Sequence, residues 1–188
     1  MKQTTLLLAA ALLCTLFCQA QNGRLPAIDK SPMDMSYYPA NYPVLKIQEK
    51  VTEAPYARVI YSRPAKNSRT VFGDLIEYDK VWRLGANEAT ELELFRDARI
   101  GNLRVKKGRY TLYAIPTEKN WTLIISRDND TWGAFKYDQK KDVGRITIPV
   151  EKIQDSTECF TMYFDKAGAG VNLYVYWDNY KAVIPLQF

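Results

Sequence analysis

Short segments in which apolar and polar residues alternate recur along the chain and predict β-strands. In one of them, Ile146, Ile148 and Val150 alternate with Arg145 and Thr147. Because consecutive side chains of a strand point to opposite faces, the three aliphatic side chains share one face. The same period predicts strands at residues 58–62, 90–95, 109–115, 121–126, 145–150, 159–164, 171–177 and 182–186.

The one-sided apolar faces of these strands indicate the fold class. Two sheets can bury such faces against each other, and turn-forming residues separate the segments at 107–108, 116–120, 128–130 and 178–179. No window of helical length carries apolar residues at i, i+3, i+4 and i+7 between capping residues. The sequence therefore predicts an all-β fold, an antiparallel two-sheet β-sandwich (jelly-roll-like) with little helix.

Residues 1–20 have the pattern of a signal peptide. Lys2 supplies a positive start, residues 6–17 are apolar, and Cys18-Gln19-Ala20 precedes the expected cleavage point. The mature chain is therefore expected to begin at Gln21. We expect it to be exported, to the periplasm or to the outside of the cell.

Neither a lipid anchor nor a transmembrane span is expected. Cys14 and Cys18 follow the bulky residues Leu13 and Phe17, whereas an acylated cysteine normally follows a small residue, so lipid anchoring is disfavoured. The apolar stretch of the leader is shorter than the roughly 20 residues that cross a bilayer. No later segment approaches that length.

The remainder of the chain divides into an arm and one domain. Residues 21–44 contain four prolines and lack an apolar period, which is typical of an extended N-terminal arm or linker. Residues 45–188 are predicted to form a single β-sandwich domain. A chain of 188 residues is long enough for one hydrophobic core and too short to make two domains the default expectation.

The composition excludes several classes of function. The chain has no histidine, which removes the commonest general base, the commonest zinc ligand and every Ser–His or Cys–His nucleophile pair. The formal net charge is +5, but acidic and basic residues alternate and form no stripe for nucleic acid. No cofactor is expected. No metal is expected either, because residues 128–130 do not provide the six to eight oxygen ligands of a calcium site. Cys159 is expected to be a buried structural thiol.

One polar cluster does not have the pattern of a scaffold. Guanidinium groups bind carboxylate or phosphate bidentately, and indole faces stack on sugars. The cluster is therefore a candidate site for a small polar or carbohydrate ligand. Alternatively it is structural, with Glu88 paired to Arg83 or Arg63 and Asn87 in a turn at positive φ. Its members are Tyr61, Arg63, Trp82, Arg83, Asn87, Glu88, Thr90, Trp132, Asp142 and Arg145.

Several strings of this region follow each other in a fixed order. They are Tyr61-Ser62-Arg63-Pro64, Phe72-Gly73, Trp82-Arg83 and Gly85-Ala86-Asn87-Glu88-Ala89-Thr90. Gly108-Arg109-Tyr110-Thr111-Leu112-Tyr113, Pro116, Trp121-Thr122, Trp132-Gly133, Asp142, Arg145 and Trp177 come after them. Over about residues 31–188, the chain resembles the bacterial family called domain of unknown function 2911. Leu84 stands where the family is expected to have threonine, and Asn67-Ser68-Arg69 replaces a glycine-arginine pair.

The resemblance implies an exported β protein without an assigned activity, substrate or catalytic residue. Two hypotheses for the function follow from the residues. The first is a periplasmic or envelope-associated binding or structural module that carries the polar cluster. The alternative is a histidine-free hydrolase or lyase in which Glu88 or Asp142 acts as the base and Arg63 or Arg83 holds an anionic group.

Overall fold

The computed structural model describes residues 25–188, so the predicted signal peptide and the first residues of the predicted arm lie outside the described residues. The strands are β1 (Met33–Tyr38), β2 (Ala57–Ser62), β3 (Glu91–Leu94), β4 (Ala98–Ile100), β5 (Leu103–Val105), β6 (Gly108–Pro116), β7 (Asn120–Ser126), β8 (Asp142–Ala167) and β9 (Gly170–Gln187). The helical elements of this part of the chain are α1 (Tyr42–Ile47) and one 3-10 turn (Gln139–Lys141). The predicted all-β fold with little helix is confirmed.

The strands form one antiparallel sheet in the order β1-β2-β3-β6-β7-β8-β9-β4-β5. The predicted division into two sheets is not confirmed, because β8 belongs to both halves of this sheet. Over Asp142–Pro149, β8 pairs with β7, and from Val150 to Ala167 it pairs with β9. A strand of 26 residues therefore joins what the sequence pattern predicted as separate layers.

Two predicted breaks between strands are absent. The predicted strands at 145–150 and 159–164 are parts of β8, and those at 171–177 and 182–186 are parts of β9. The predicted turn at 178–179 lies inside β9, where Asp178 has a φ of 52°. The register between β8 and β9 shifts around Thr157, the partner of Asp178. The turn-forming residues therefore produce an irregularity within the strand, as β-bulges do, and not its end.

The strands that the sequence pattern did not predict are short or lie in the predicted arm. β4 and β5 have three residues each, which is too few for alternation to be recognised. β1 lies within residues 21–44 and pairs with β2 at one edge of the sheet. No helix among residues 25–188 is long and apolar enough to cross a membrane.

An aromatic cluster occupies the centre of the core. The Trp82 ring lies 5.6 Å from Trp121 of β7, 5.4 Å from Phe160 of β8 and 6.0 Å from Trp177 of β9, measured between ring centroids. Phe72 contacts the same cluster, 5.0 Å from Trp121 and 6.3 Å from Trp177. Side chains of β7 and β9 therefore contact the same two aromatic residues, Phe72 and Trp82, in the connection between β2 and β3. This shared contact shows that the sheet is curved.

We expect Phe160→Ala to lower the free energy of unfolding by about 3–5 kcal/mol, because it leaves a cavity in this cluster. Phe160 has no solvent exposure. Phe135→Ala is the matched control: the same atoms are removed from a side chain that is 80% exposed, and a change within about 0.5 kcal/mol is expected. Urea unfolding of the mature protein measures both values. Equal losses for the two variants would contradict the position of Phe160 at the centre of the core.

Candidate ligand-binding site

Hydrogen bonds to Ser62 and Thr90 fix the loop that contains Trp82. The Ser62 hydroxyl donates to the Ala86 carbonyl and accepts from the Ala86 amide, with 2.7 Å between that amide and the hydroxyl oxygen. The Thr90 hydroxyl is buried and donates to the Leu84 carbonyl. Gly85 has a φ of 151°, and a Cβ there would lie 2.9 Å from the Ser62 hydroxyl oxygen. Thr90, a predicted site residue, therefore stabilises this loop and does not face solvent.

This loop supports a second one, the connection between β7 and β8. The Ala89 amide donates to the Thr131 carbonyl at 3.0 Å, and the Gly133 amide donates to the Asn87 carbonyl at 2.8 Å. Between these bonds Glu88 and Trp132 form an antiparallel bridge. Three predicted site residues, Asn87, Glu88 and Trp132, therefore lie together, and Asn87 has the predicted positive φ, at 56°.

Trp132 and Phe135 form an exposed aromatic pair on the second loop. Their side chains are 62% and 80% exposed, and their ring centroids lie 5.9 Å apart at an interplanar angle of 17°. Gly133 makes this arrangement possible: its φ is 71°, and a Cβ there would lie 2.6 Å from the Phe135 ring. Adjacent exposed apolar side chains are more frequent at sites that bind a partner or a ligand than on the rest of a protein surface.

Two clefts adjoin the aromatic pair, and Phe135 lines both. The tyrosine cleft has a volume of about 550 Å³, and the arginine cleft has a volume of about 280 Å³. The tyrosine cleft is also lined by Tyr113, Asp128, Asn129, Asp130, Trp132, Lys136, Tyr137 and Lys141. The arginine cleft is also lined by Leu75, Glu77, Lys80, Trp82 and Arg83. In both clefts a few polar groups converge beside aromatic surface, as in small-molecule sites.

Asp142 and Arg145 hold one wall of the tyrosine cleft through Tyr137. The Tyr137 hydroxyl donates to Asp142 Oδ2 at 2.6 Å and accepts from Arg145 Nη2 at 2.6 Å. Arg145 Nε donates to the same carboxylate oxygen at 2.8 Å. Burial and, to a smaller extent, the Asp142 carboxylate raise the pKa of Tyr137 to about 12. These two predicted site residues therefore anchor the second loop to the start of β8.

Several further polar groups of the tyrosine cleft are paired, whereas one buried acceptor is not. Lys141 Nζ lies 2.7 Å from Asp128 Oδ1, and this bond raises the pKa of Lys141. The Tyr113 and Thr131 hydroxyls are 2.9 Å apart, and burial raises the pKa of Tyr113. Asn129 Oδ1 is buried and has no hydrogen-bond partner within residues 25–188. This oxygen is therefore an unused acceptor beneath the surface of the cleft.

Arg83 differs from the other predicted arginines because it has no acceptor in the part of the chain that the structure describes. Its Nε is buried without a hydrogen-bond partner, and its side chain lines the arginine cleft. Burial lowers the pKa of Arg83, since no carboxylate compensates for the lost hydration.

Arg63 and Tyr61 lie around Asp34, away from the aromatic pair. Arg63 Nη1 is 2.9 Å from Asp34 Oδ2, its Nη2 donates to the Thr161 hydroxyl at 3.0 Å, and the Tyr61 hydroxyl is 3.4 Å from the same carboxylate oxygen. The predicted ion pairs of Glu88 with Arg63 or Arg83 are therefore absent among residues 25–188. Arg63 is instead paired across β1 and β2, which are adjacent strands, and Glu88 is exposed.

The structure thus separates the predicted cluster into groups. Six of the predicted residues surround the second loop: Arg83, Asn87, Glu88, Trp132, Asp142 and Arg145. Trp82 and Thr90 are buried, and Tyr61 and Arg63 lie elsewhere. Phe135, Tyr113, Tyr137 and Lys141 were not predicted. The string Trp132-Gly133-Ala134-Phe135 contained a signal for one of them, because two aromatic residues flank a glycine outside any alternating segment. In residues 25–188 no three Cys, Asp or Glu side chains are grouped so that they could hold a metal ion.

Comparison with known proteins identifies a family for this chain. A family model described as "Protein of unknown function (DUF2911)" matches residues 43–186, which is more than half of the chain and includes both clefts. No curated protein and no solved structure matches the chain.

We expect Asp142→Asn to lower the pKa of Tyr137 from about 12 while leaving it above the ordinary value of 10, because burial remains. NMR titration of the tyrosine Cζ resonances measures this change. Tyr163 is the matched control, since its pKa of about 12 has burial and the Tyr176 hydroxyl as its main causes. An unchanged Tyr137 titration in the variant would show that the Tyr137–Asp142 hydrogen bond does not form in solution.

Proposed function

The chain belongs to the DUF2911 family, and we propose that this member is an exported binding module that holds a small polar or carbohydrate ligand against Trp132 and Phe135. The observation that carries the proposal is the exposed, nearly parallel aromatic pair at the mouth of two clefts. Leaving two large apolar side chains in water forgoes the stabilisation of about 25 cal/mol per Å² that their burial would provide. A ligand that covers both rings recovers it.

The chemistry around the aromatic pair supports a hydroxylated ligand. A sugar ring has an apolar face that packs on an aromatic ring and hydroxyl groups around its edge that need hydrogen-bond partners. The exposed Asp130 carboxylate offers acceptors in the tyrosine cleft, and Lys136, which is also exposed there, offers donors. The tyrosine cleft, at about 550 Å³, is of the size that holds small molecules, about 300–1,000 Å³.

The loop that carries the aromatic pair is held at both ends, which supports binding in a defined geometry. Residues 131–133 pair with residues 87–89, and Tyr137 is bonded to β8. A binding surface that is already ordered loses less conformational entropy when the ligand arrives. Of the two residues named in the hydrolase hypothesis, Glu88 pairs with Trp132 through its backbone and leaves its side chain exposed, and Asp142 forms an ion pair with Arg145.

The curved sheet is proposed to act as a sandwich-like scaffold for this site. Its support is the shared contact of Trp121 and Trp177, from β7 and β9, with Phe72 and Trp82. Side chains that reach one cluster from two parts of a sheet pack as the facing layers of a sandwich do.

Export is proposed on the leader pattern of residues 1–20, which lie outside the described part of the chain. We expect the protein expressed in a bacterium with its leader to be recovered outside the cytoplasm with Gln21 as its first residue. Intact-mass measurement of the purified protein checks this. A mass that corresponds to a chain starting at Met1, or a protein retained in the cytoplasmic fraction, would contradict it.

Replacement of either ring of the aromatic pair should weaken ligand binding. A thermal-shift screen of mono- and oligosaccharides identifies ligands by the stabilisation that they produce, and calorimetry then measures Kd. We expect Trp132→Ala and Phe135→Ala each to raise Kd about tenfold, because each removes roughly 1–1.5 kcal/mol of stacking. Their unfolding should be nearly unchanged, since both side chains face solvent.

Tyr163→Ala provides the control for these two variants. Tyr163 is an exposed aromatic residue, at 39%, that lines neither cleft, so Kd should stay the same. The proposal would be wrong if no saccharide in the screen stabilised the protein, or if Tyr163→Ala and Trp132→Ala had equal effects on Kd.

A further inference from the structure

Arg83 is held firmly beside the aromatic pair. Its neighbour Trp82 is buried, donates its indole N–H to the Gly85 carbonyl at 3.0 Å, and exchanges backbone hydrogen bonds of 2.7 and 2.9 Å with Ala114. The Arg83 carbonyl itself accepts from the Thr90 amide at 3.1 Å. The backbone of Arg83 is thus fixed on both sides, and its side chain lines the arginine cleft.

The guanidinium group of Arg83 has no protein partner in residues 25–188. Five other arginines bind carboxylates there: Arg58, Arg63, Arg96, Arg109 and Arg145. The exposed Arg99, Arg104 and Arg127 are open to water. Arg83 combines partial burial with the lack of an acceptor, and its Nε is sealed from solvent.

A cation in this position destabilises the protein when no ligand is bound. Burial removes water from part of the guanidinium group, and an unsatisfied buried donor destabilises the protein, more so when it is charged. The loss of hydration also lowers the pKa of Arg83. Glu77 lines the same cleft but is exposed and forms no ion pair with Arg83, whereas Lys80 adds a second positive charge. An oxyanion that enters the cleft would supply an acceptor to the Arg83 Nη groups, which are not sealed from solvent.

The arginine cleft and the aromatic pair share the Phe135 ring. A ligand that packs on this ring can therefore place a substituent in the arginine cleft. The cleft volume of about 280 Å³ is sufficient for a charged substituent of such a ligand.

We propose that Arg83 is the anion-binding subsite of this module, and that the ligand is an acidic saccharide whose carboxylate or phosphate group docks on the Arg83 guanidinium. This inference rests on the proposed binding function and specifies its ligand class. A planar guanidinium binds either oxyanion through two parallel hydrogen bonds.

The experiment compares glucose, glucuronate and glucose 6-phosphate as probes by calorimetry. The two anions should bind the wild-type protein about 10- to 100-fold more tightly than glucose, because a charge-assisted bidentate contact is added. The anion with the lower Kd identifies the preferred group, carboxylate or phosphate. Arg83→Met should remove the preference for the anions, and Arg83→Lys, which keeps the charge and loses the planar fork, should retain part of it.

Arg99→Met is the matched control, since it removes the same kind of side chain from an exposed position outside both clefts. It should keep the preference. The melting temperature separates binding from a structural role: Arg83→Met should melt at or above the wild-type temperature, because it removes an unpaired, partly buried charge. A structural arginine would lower the melting temperature when replaced.

An NMR titration of the wild-type protein gives a readout that does not depend on the folding of the binding variants. The Arg83 Nε–H resonance of the wild-type protein, assigned by its absence in Arg83→Lys, should shift on titration with glucuronate, glucose 6-phosphate or inorganic phosphate. The proposal is overturned if this resonance does not move with any of the three anions, if glucose binds as tightly as the anionic sugars, or if Arg99→Met and Arg83→Met lose the same affinity.

The two proposals fail separately. If Trp132→Ala weakens all three sugars while Arg83→Met changes none, the binding module stands and the anion subsite is wrong. If the anions bind at Arg83 and Trp132→Ala has no effect, the subsite stands and the role of the aromatic pair is wrong.

Discussion

Burial of the Trp82 indole is the interaction on which both the core and the candidate site depend. The indole contacts aromatic rings from β7, β8 and β9, while the Trp82 backbone pairs with Ala114 of β6. One residue thereby ties a connecting loop to four strands. The residues that follow Trp82 are placed as a consequence: Arg83 at a cleft, and residues 87–89 where they can pair with the connection between β7 and β8.

The long strand β8 makes the other contribution to the site. Residues 142–149 pair with β7 and residues 150–167 with β9, so the sheet continues without a break and curves over the aromatic cluster. The β7–β8 connection leaves the sheet at Ser126 and returns at Asp142. Asp142 and Arg145 bind Tyr137 at that return. An exposed loop with aromatic residues is thus attached to rigid elements at both ends, which is the arrangement that pre-organises a binding surface.

The arginines differ in whether a carboxylate of the protein binds them. Arg63 and Arg109 are paired with carboxylates of neighbouring segments, and Arg145 with Asp142 of its own strand. Solvent-exposed pairs of this kind contribute little to stability. These guanidinium groups already donate to protein carboxylates and are therefore less available to a ligand. Arg83 is partly buried and open to a cleft. The distinction between a structural and a binding arginine therefore lies in the partner and not in the residue type.

The sequence by itself determined the all-β class and most strand positions, because side-chain alternation is a local property that each strand carries in its own residues. It could not determine that β8 is continuous, since residues 151–158 are mostly polar and their pairing with β9, at Glu151, Lys152 and Thr157, is a tertiary contact. Nor could it separate Trp82, at 4% exposure, from Trp132, at 62%, or show that Arg63 binds Asp34 and that Arg83 has no partner among the described residues. Tertiary structure decided these points, because burial and ion pairing depend on which distant segments meet, and no single segment encodes its neighbours.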